Sequence, residues 1–438
     1  MNNQRWVNWS KTVSSFPESI IYPKTQDALI EAIKNAISNN TKVKIVGSGH
    51  SCSKIAETHS GILISLDNLT DIINYNKELL QLEVQSGATL RFINNYLSSQ
   101  DAALSNLGTI DSQTISGAIS TGTHGTGINY GSVDQQIIEL TIINGLGEIL
   151  ILNESTNSEL FNLCKVGLGA FGVVISVKIQ CVPAFSLQVI QKSINFSEFG
   201  YYFNKLNESD HLRFWWAPHT NKIQLWQAKR IKGFKIFGQS RLSWFKEVII
   251  GEWFFQFLMM ISSFIKSFGK FTNNFIFDQV LGQSFNYTKY SKNAFVLPIT
   301  IKQTVMEYAV PIEYTLEVLE KLHIITSSND YYVHMPIELR FAPKNNAFLS
   351  MSYGRTSCYI GIISYKPFGK SIQYDNFFKQ VHNVLSEYGA RPHWAKKHYY
   401  KPNEIKQLYP HWEKAKNRRK ELDPKGIFKN EFLSKLFD

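Results

Sequence analysis

In "IELRF" (337–341), Glu338 and Arg340 stand two residues apart. On a strand, residues i and i+2 share a face. A carboxylate and a guanidinium would then lie side by side and could bind and orient the hydroxyls of a polyol. The same spacing also fits a plain cross-strand ion pair on a sheet surface. Two other segments are rich in bare backbone: "KIVGSGHSCSK" (44–54) and "SGAISTGTHGTG" (116–127). Turns of this kind form concave arrays of N–H groups that hold phosphate oxygens. Two of them in one domain could cradle a diphosphate, which calls for a large anionic cofactor held by main chain. His50 follows directly on Gly49, so its imidazole would sit at the mouth of that cradle.

Other phosphate motifs are missing. There is no G-x-x-x-x-G-K-[ST] run. "GLGAFG" (167–172) has the form G-x-G-x-x-G, but "VVISVKI" follows it, and alternating β-branched residues make a strand. The dinucleotide fingerprint needs a helix there. Those glycines instead allow close backbone approach.

The elements that must carry these residues read as mixed. "TQDALIEAIKNAISNN" (25–40) is an amphipathic helix with Thr25 as its N-cap, and "KVKIV", "GILISL" and "LLQLEVQSG" are strands. "ATLRFINNYL" (88–97) is a second helix, followed by the glycine-rich run 106–131. Such a long run inside a compact domain is usually functional. "IIELTIING" and "GEILIL" are further strands. From about 185 aromatic residues become dense, and 371–438 reads as helices with an extended ending, "DPKGIFKNEFLSKLF". These patterns predict three parts: 1–183, 184–390 and 391–438.

The 438 residues are enough for two or three domains. The net charge of +11 suits an anionic partner, but the lysines are spread along the chain and no nucleic-acid motif accompanies them. "KAKNRRK" (414–420) reads as a solvated helix face. The four cysteines are far apart and show no metal-ligand spacing, so no metal is expected. Sparse thiols and a polar N-terminus point to the cytoplasm. "EVIIGEWFFQFLMMISSFIKSF" (247–268) is strongly apolar, yet Glu252 and Gln256 are costly in lipid. It reads first as a buried helix of the second domain, and second as a helix lying flat on a membrane surface.

The two glycine-rich segments resemble the flavin loops of the vanillyl-alcohol-oxidase (PCMH-type) family, and within it the aldonolactone oxidase group. "RFWWAPHT", "MEYAVP", "PIELRFAP", "RPHWAK" and "DPKGIFKNEF" are similar to blocks of that group in the same order, across nearly the whole chain. The resemblance implies an α+β fold, with a two-subdomain FAD-binding domain and a cap domain built on an antiparallel sheet with flanking helices. The C-terminal segment returns to complete the active site. It implies FAD, joined covalently through His50; in the alternative, His50 only contacts the flavin. It implies cofactor contacts from Gly47, Ser48, Gly49, His50, Ser51, Thr109, Thr114, Gly117, Thr121, Gly122, His124, Gly125 and Val174. His124 would orient the second loop, and Asp111 reads as a turn residue.

The implied reaction oxidises a CH–OH group by hydride transfer to flavin N5. Glu338 would bind the substrate hydroxyl and accept its proton, and Arg340 would hold substrate and developing flavin charge. Lys396 would stabilise reduced flavin, with Lys397 as its rival and His393 as a packing residue. Oxygen or another acceptor would reoxidise the flavin. An alditol-oxidising relative has threonine where Ile363 aligns, and isoleucine offers no hydroxyl contact. That favours an aldono-1,4-lactone over a linear polyol. The alternatives are an alditol or other carbohydrate oxidase of the same fold, and a non-catalytic flavin-fold module at a membrane surface.

Overall fold

The structure is a computed structural model describing residues 4–233, 251–328 and 336–438. Residues 247–250 of the apolar segment lie outside the described residues.

The N-terminal half holds two small sheets. Ser19–Ile21, Ile62–Ser65 and Val43–Val46 form a parallel sheet, in that order. Helix Gln26–Ser38 begins where the Thr25 hydroxyl accepts from the Ala28 amide. Its Leu29, Ile33 and Ala36 pack against Val43 and Ile64. The second sheet is antiparallel, in the order Ile149–Asn153, Ile137–Ile143, Val173–Gln180, Gln81–Gln85, Ile72–Asn76. The run after "GLGAFG" is therefore a strand, as its alternation predicts. The glycine-rich run contains a helix that sequence reading did not foresee, Ile115–Ser120, started by Thr114 accepting from the Gly117 amide.

The second half is built on one eight-stranded antiparallel sheet. Its order is Phe285–Tyr290, Phe185–Asn195, Lys222–Lys232, His211–Trp216, Ile337–Ala342, Ser357–Tyr365, Gln303–Pro311, Arg391–Pro392. Helices Thr315–Ser327 and Asp375–Glu387 cover one face. Ile337, Leu339, Phe341, Ile360, Ile362, Met306 and Tyr308 point into that layer beside Leu322 and Phe378. The alternate residues face the other way. A slip of one residue would send Glu338 and Arg340 into the apolar layer, so burial of their neighbours fixes the register.

Two expectations are corrected. The C-terminal ending is helical over Glu431–Phe437, not extended. Asn430 caps it by accepting from the Leu433 amide, and Leu433, Leu436 and Phe437 are buried. The apolar segment is not a buried helix. Gly251–Phe264 and Lys266–Ile276 form a pair of helices that leaves Trp253 65% and Phe264 79% exposed, although Leu258 and Met259 are buried. Among the described residues no helix is long and apolar enough to cross a membrane.

Candidate active site and cofactor groove

Two neighbouring cavities gather most of the residues singled out from the sequence. The first is a groove lined by the glycine-bearing turn after strand Val43–Val46, by the start of helix Ile115–Ser120 and by apolar side chains. Gly47, Ser48, Gly49, His50, Ser51, Thr114, Gly117, Thr121 and Val174 all line it. Among the described residues, the amides from Gly47 to Ser51 donate to no acceptor. The turn is only half-buried, so these amides stay available to an incoming acceptor. Gly47 must be glycine: a Cβ there would lie 2.0 Å from the Thr114 hydroxyl oxygen. Gly49 adopts φ +67°, in the left-handed region that favours glycine.

His50 closes the groove. Its Nε2 lies 2.7 Å from the Ser112 hydroxyl oxygen. Its Nδ1 is buried and has no hydrogen-bond partner among the described residues. Burial pushes the imidazole down to about 4, helped by the nearby charges of Lys396 and Lys302, so the ring is neutral at pH 7.

The second cavity, ≈ 400 Å³, lies against the open face of the eight-stranded sheet. Glu338, Arg340 and Lys396 line it together with Trp215, Glu307, Gly361 and Ile363. Thr109 lines this cavity rather than the groove. Lys397 does not line it, and its ammonium binds Asp375 Oδ1 at 2.8 Å.

The electrostatics centre on Arg340. Its Nη2 donates to Glu307 Oε1 at 2.6 Å, and its Nε lies 3.3 Å from Glu338 Oε2 as an ion pair without hydrogen-bond geometry. Glu338 Oε1 accepts from Trp215 Nε1 at 3.0 Å. Burial opposes the charge of Arg340, but the carboxylates of Glu338 and Glu307 outweigh it and raise its pKa. Burial likewise opposes the charge of Glu307, and Arg340 with His124 outweighs it, holding the carboxyl well below its usual range. The Glu-x-Arg pair is thus a buried cluster and not a surface ion pair.

Gly122, His124 and Gly125 line neither cavity. Each makes close contacts within the protein. A Cβ on Gly122 would meet Met351 at 2.9 Å, and one on Gly125 would meet Asn106 Oδ1 at 2.2 Å. His124 instead joins the charged cluster. It stacks on Tyr359 with ring centroids 3.6 Å apart, contacts Glu307 at 3.3 Å, and its carbonyl accepts from Arg340 Nη1. Asp111 forms an ion pair with Arg91. His393 is buried beside Glu307. Ligand atoms of His124, Glu307 and His393 lie within 4.8 Å of one another, but the guanidinium already supplies the positive charge there.

Sequence reading missed Glu307 and Ser112. Glu307 is the one acid in the otherwise apolar strand segment "VMEYAVP", and a lone acid in such a run signals a buried partner. Ser112 carried no such signal.

Residues 177–436 match the family described as D-arabinono-1,4-lactone oxidase, and residues 17–153 match the family described as FAD binding domain. The chain belongs to the D-arabinono-1,4-lactone oxidase family. It carries an FAD-binding domain. It is 34% identical to an L-gulonolactone oxidase of Scyliorhinus torazame, over 99% of this chain and 98% of that protein. It is 27% identical to an L-gulono-1,4-lactone dehydrogenase of Mycobacterium tuberculosis, over 98% of each. In fold it is similar to the cholesterol oxidase of B. sterolicum, with a TM-score of 0.80 and 16% identity, over 99% of this chain and 97% of that one.

Buried imidazoles make the cluster acid-sensitive. Burial is the largest cause lowering both His124 and His393, so folding favours the neutral form of each. Below the ordinary histidine value of about 6.5 the unfolded chain takes up protons that the folded chain refuses. His393, held well below that value, then removes up to about 1.4 kcal/mol of stability per pH unit, and His124 adds to the fall. The carboxylate of Glu307 keeps its contribution until stronger acid, because its folded value lies below its unfolded one. Urea unfolding between pH 7 and 5 should show stability falling with pH, and His393→Gln should flatten the slope by about one proton. An unchanged slope would refute the neutral assignment.

Proposed function

We propose that this chain is an FAD-dependent oxidoreductase that oxidises a CH–OH group of an aldono-1,4-lactone. The observation that carries this reading is the convergence of Glu338, Arg340 and Lys396 on one cavity, beside a main-chain cradle with unpaired amides. Bound FAD supplies the two-electron acceptor that takes the substrate hydride. The residues of the chain do the rest. Glu338 accepts the hydroxyl proton, directly or through water, as the C–H bond breaks and the carbonyl forms. Arg340, held between Glu307 and Glu338, orients the substrate oxygens and places fixed positive charge where negative charge develops. Lys396 adds a second cation from the returning C-terminal segment. Ile363 and Val305 give the cavity an apolar wall, which suits a compact ring better than an open polyol. Oxygen or another acceptor completes the cycle.

The groove fits a dinucleotide through the amides of Gly47 to Ser51, and we assign the covalent attachment of FAD to His50. A neutral ring is the nucleophilic form. Nε2 is engaged by Ser112, which leaves Nδ1 as the atom free to bond. The chain divides into an FAD-binding domain, 1–183, a cap, 184–390, and a returning segment, 391–438. A peripheral contact with an anionic lipid surface falls on the exposed aromatic face of the helix pair Gly251–Phe264 and Lys266–Ile276. Trp253, Phe254, Phe257, Phe264 and Phe271 are exposed there, Phe368 packs on Trp253, and Lys270 and Lys370 flank the patch.

In an anaerobic screen, L-gulono-, L-galactono- and D-arabinono-1,4-lactones should bleach the flavin band faster than alditols. Glu338→Ala, Arg340→Ala and Lys396→Ala should each slow reduction by about 10²–10⁴-fold with FAD still bound. Full rates in all three would remove this site from consideration. After acid precipitation, yellow colour should stay with the wild-type polypeptide and leave with the supernatant in His50→Ala. Wild-type colour in the supernatant would refute the bond. The protein should sediment with vesicles containing phosphatidylserine, and Trp253→Ser with Phe264→Ser should reduce that. Equal recovery with neutral vesicles would rule out the charge contribution, and no sedimentation would rule out the contact.

A further inference from the structure

We propose that Lys44 is the buried counter-cation for the diphosphate of the bound dinucleotide, a role that rests on the FAD reading above. Lys44 lies in the middle of strand Val43–Val46. Val43 and Ile45 pack toward helix Gln26–Ser38. Alternation therefore turns Lys44 and Val46 to the other face, and Lys44 is among the strand residues that line the groove. Lys44 is only 6% exposed, and its Nζ has no hydrogen-bond partner among the described residues.

Burying an ammonium without a partner costs several kcal/mol. A methionine of similar length would fill the space at no such cost. The charge therefore answers to something that enters the groove. The described lining of the groove contains no Asp or Glu. Its other titratable group, His50, is neutral at pH 7. The ammonium points toward the turn of Leu168 and Gly169, which have φ of +58° and +65°. A Cβ built on Gly169 would lie 3.9 Å from Lys44 Nζ, so the amine rests against this glycine within the groove lining, shielded from water. Burial pushes this amine down to about 7, and an anion beside it would restore the charged form. Of the parts of FAD, only the diphosphate carries formal charge at neutral pH. An ammonium aimed from the first subdomain would thus complement the uncharged N–H donors of Gly47–Ser51.

The test uses His50→Ala protein, from which FAD can exchange, with and without Lys44→Met. FAD and riboflavin affinities are measured by flavin fluorescence, and thermal unfolding is followed with and without FAD. Lys44→Met should weaken FAD binding about 10–100-fold, leave riboflavin binding unchanged, and reduce the salt dependence of FAD binding. It should also raise the melting temperature of the flavin-free protein and lower that of the FAD-loaded one. Unchanged FAD affinity, equal loss for riboflavin, or a lower melting temperature in the flavin-free protein would each overturn the role. If His50→Ala protein with Lys44 intact takes no FAD at all, the FAD reading itself fails, and the two failures are thereby distinguished.

Discussion

A single buried cation organises this molecule. Arg340 is held between two carboxylates that come from different strands, Glu307 and Glu338. Its reach depends on what lies between them. In the sheet, Glu338 pairs with Gly361, and Gly361 pairs with Glu307. The middle position of that row carries no side chain. A Cβ there would sit 3.7 Å from both Glu307 Oε1 and the Glu338 Cβ, so alanine fits but anything longer would fill the space the guanidinium spans. A buried cation with one partner removed costs about 3–5 kcal/mol. The three strands must therefore hold their register together. The apolar layer on the opposite face enforces it, because each of Leu339, Ile360 and Met306 sits one residue from a cluster position.

The returning C-terminal segment ties this cluster to the cofactor groove. The amide of His393 donates to the Glu307 carbonyl and the amide of Lys397 to that of Val305, so the segment rides on the edge of the cap strand Gln303–Pro311. The same segment accepts from the other half of the molecule. The Cys52 amide donates to the Ala395 carbonyl at 2.7 Å, the Ser53 hydroxyl to the Trp394 carbonyl at 2.6 Å, and the Ser51 hydroxyl to Ala395 across 344 residues of sequence. Lys396 is thus fixed relative to His50 and to Glu307 at once. No element of either half could do this alone.

What sequence reading could see follows from this architecture. The alternation of "IELRF" was legible because its neighbours are apolar, and that alternation is what places Glu338 and Arg340 on the cavity side. The bare turn at 47–51 was legible because glycine is required there by contact with Thr114 and by positive φ. Motif spacing favoured Lys396 over Lys397, but the partner that engages the second, Asp375 on a distant helix, was not legible. Gly122 and Gly125 carry a related ambiguity. Glycines demanded by tight packing look the same in sequence as glycines demanded by a ligand. The apolar helix pair misled through composition: a long apolar run predicts burial, and here much of its aromatic face has no protein against it.

The positive field around His50 bears on both the proposed flavin bond and the proposed reaction. Lys396 and Lys302 add to burial in keeping the imidazole unprotonated, and Lys302 itself lies 4.0 Å from the Trp9 ring, which packs beside His50. A neutral nitrogen is what bond formation to an electron-poor carbon requires. Lys396 also lines the reaction cavity, together with the carboxylate-bound Arg340. Negative charge that builds on an oxidant in that cavity would meet one cation already paired and one not engaged by a carboxylate among the described ion pairs. In the proposed reaction the paired one would position, because its geometry is fixed by Glu307 and Glu338. The other responds, because its charge is not already offset.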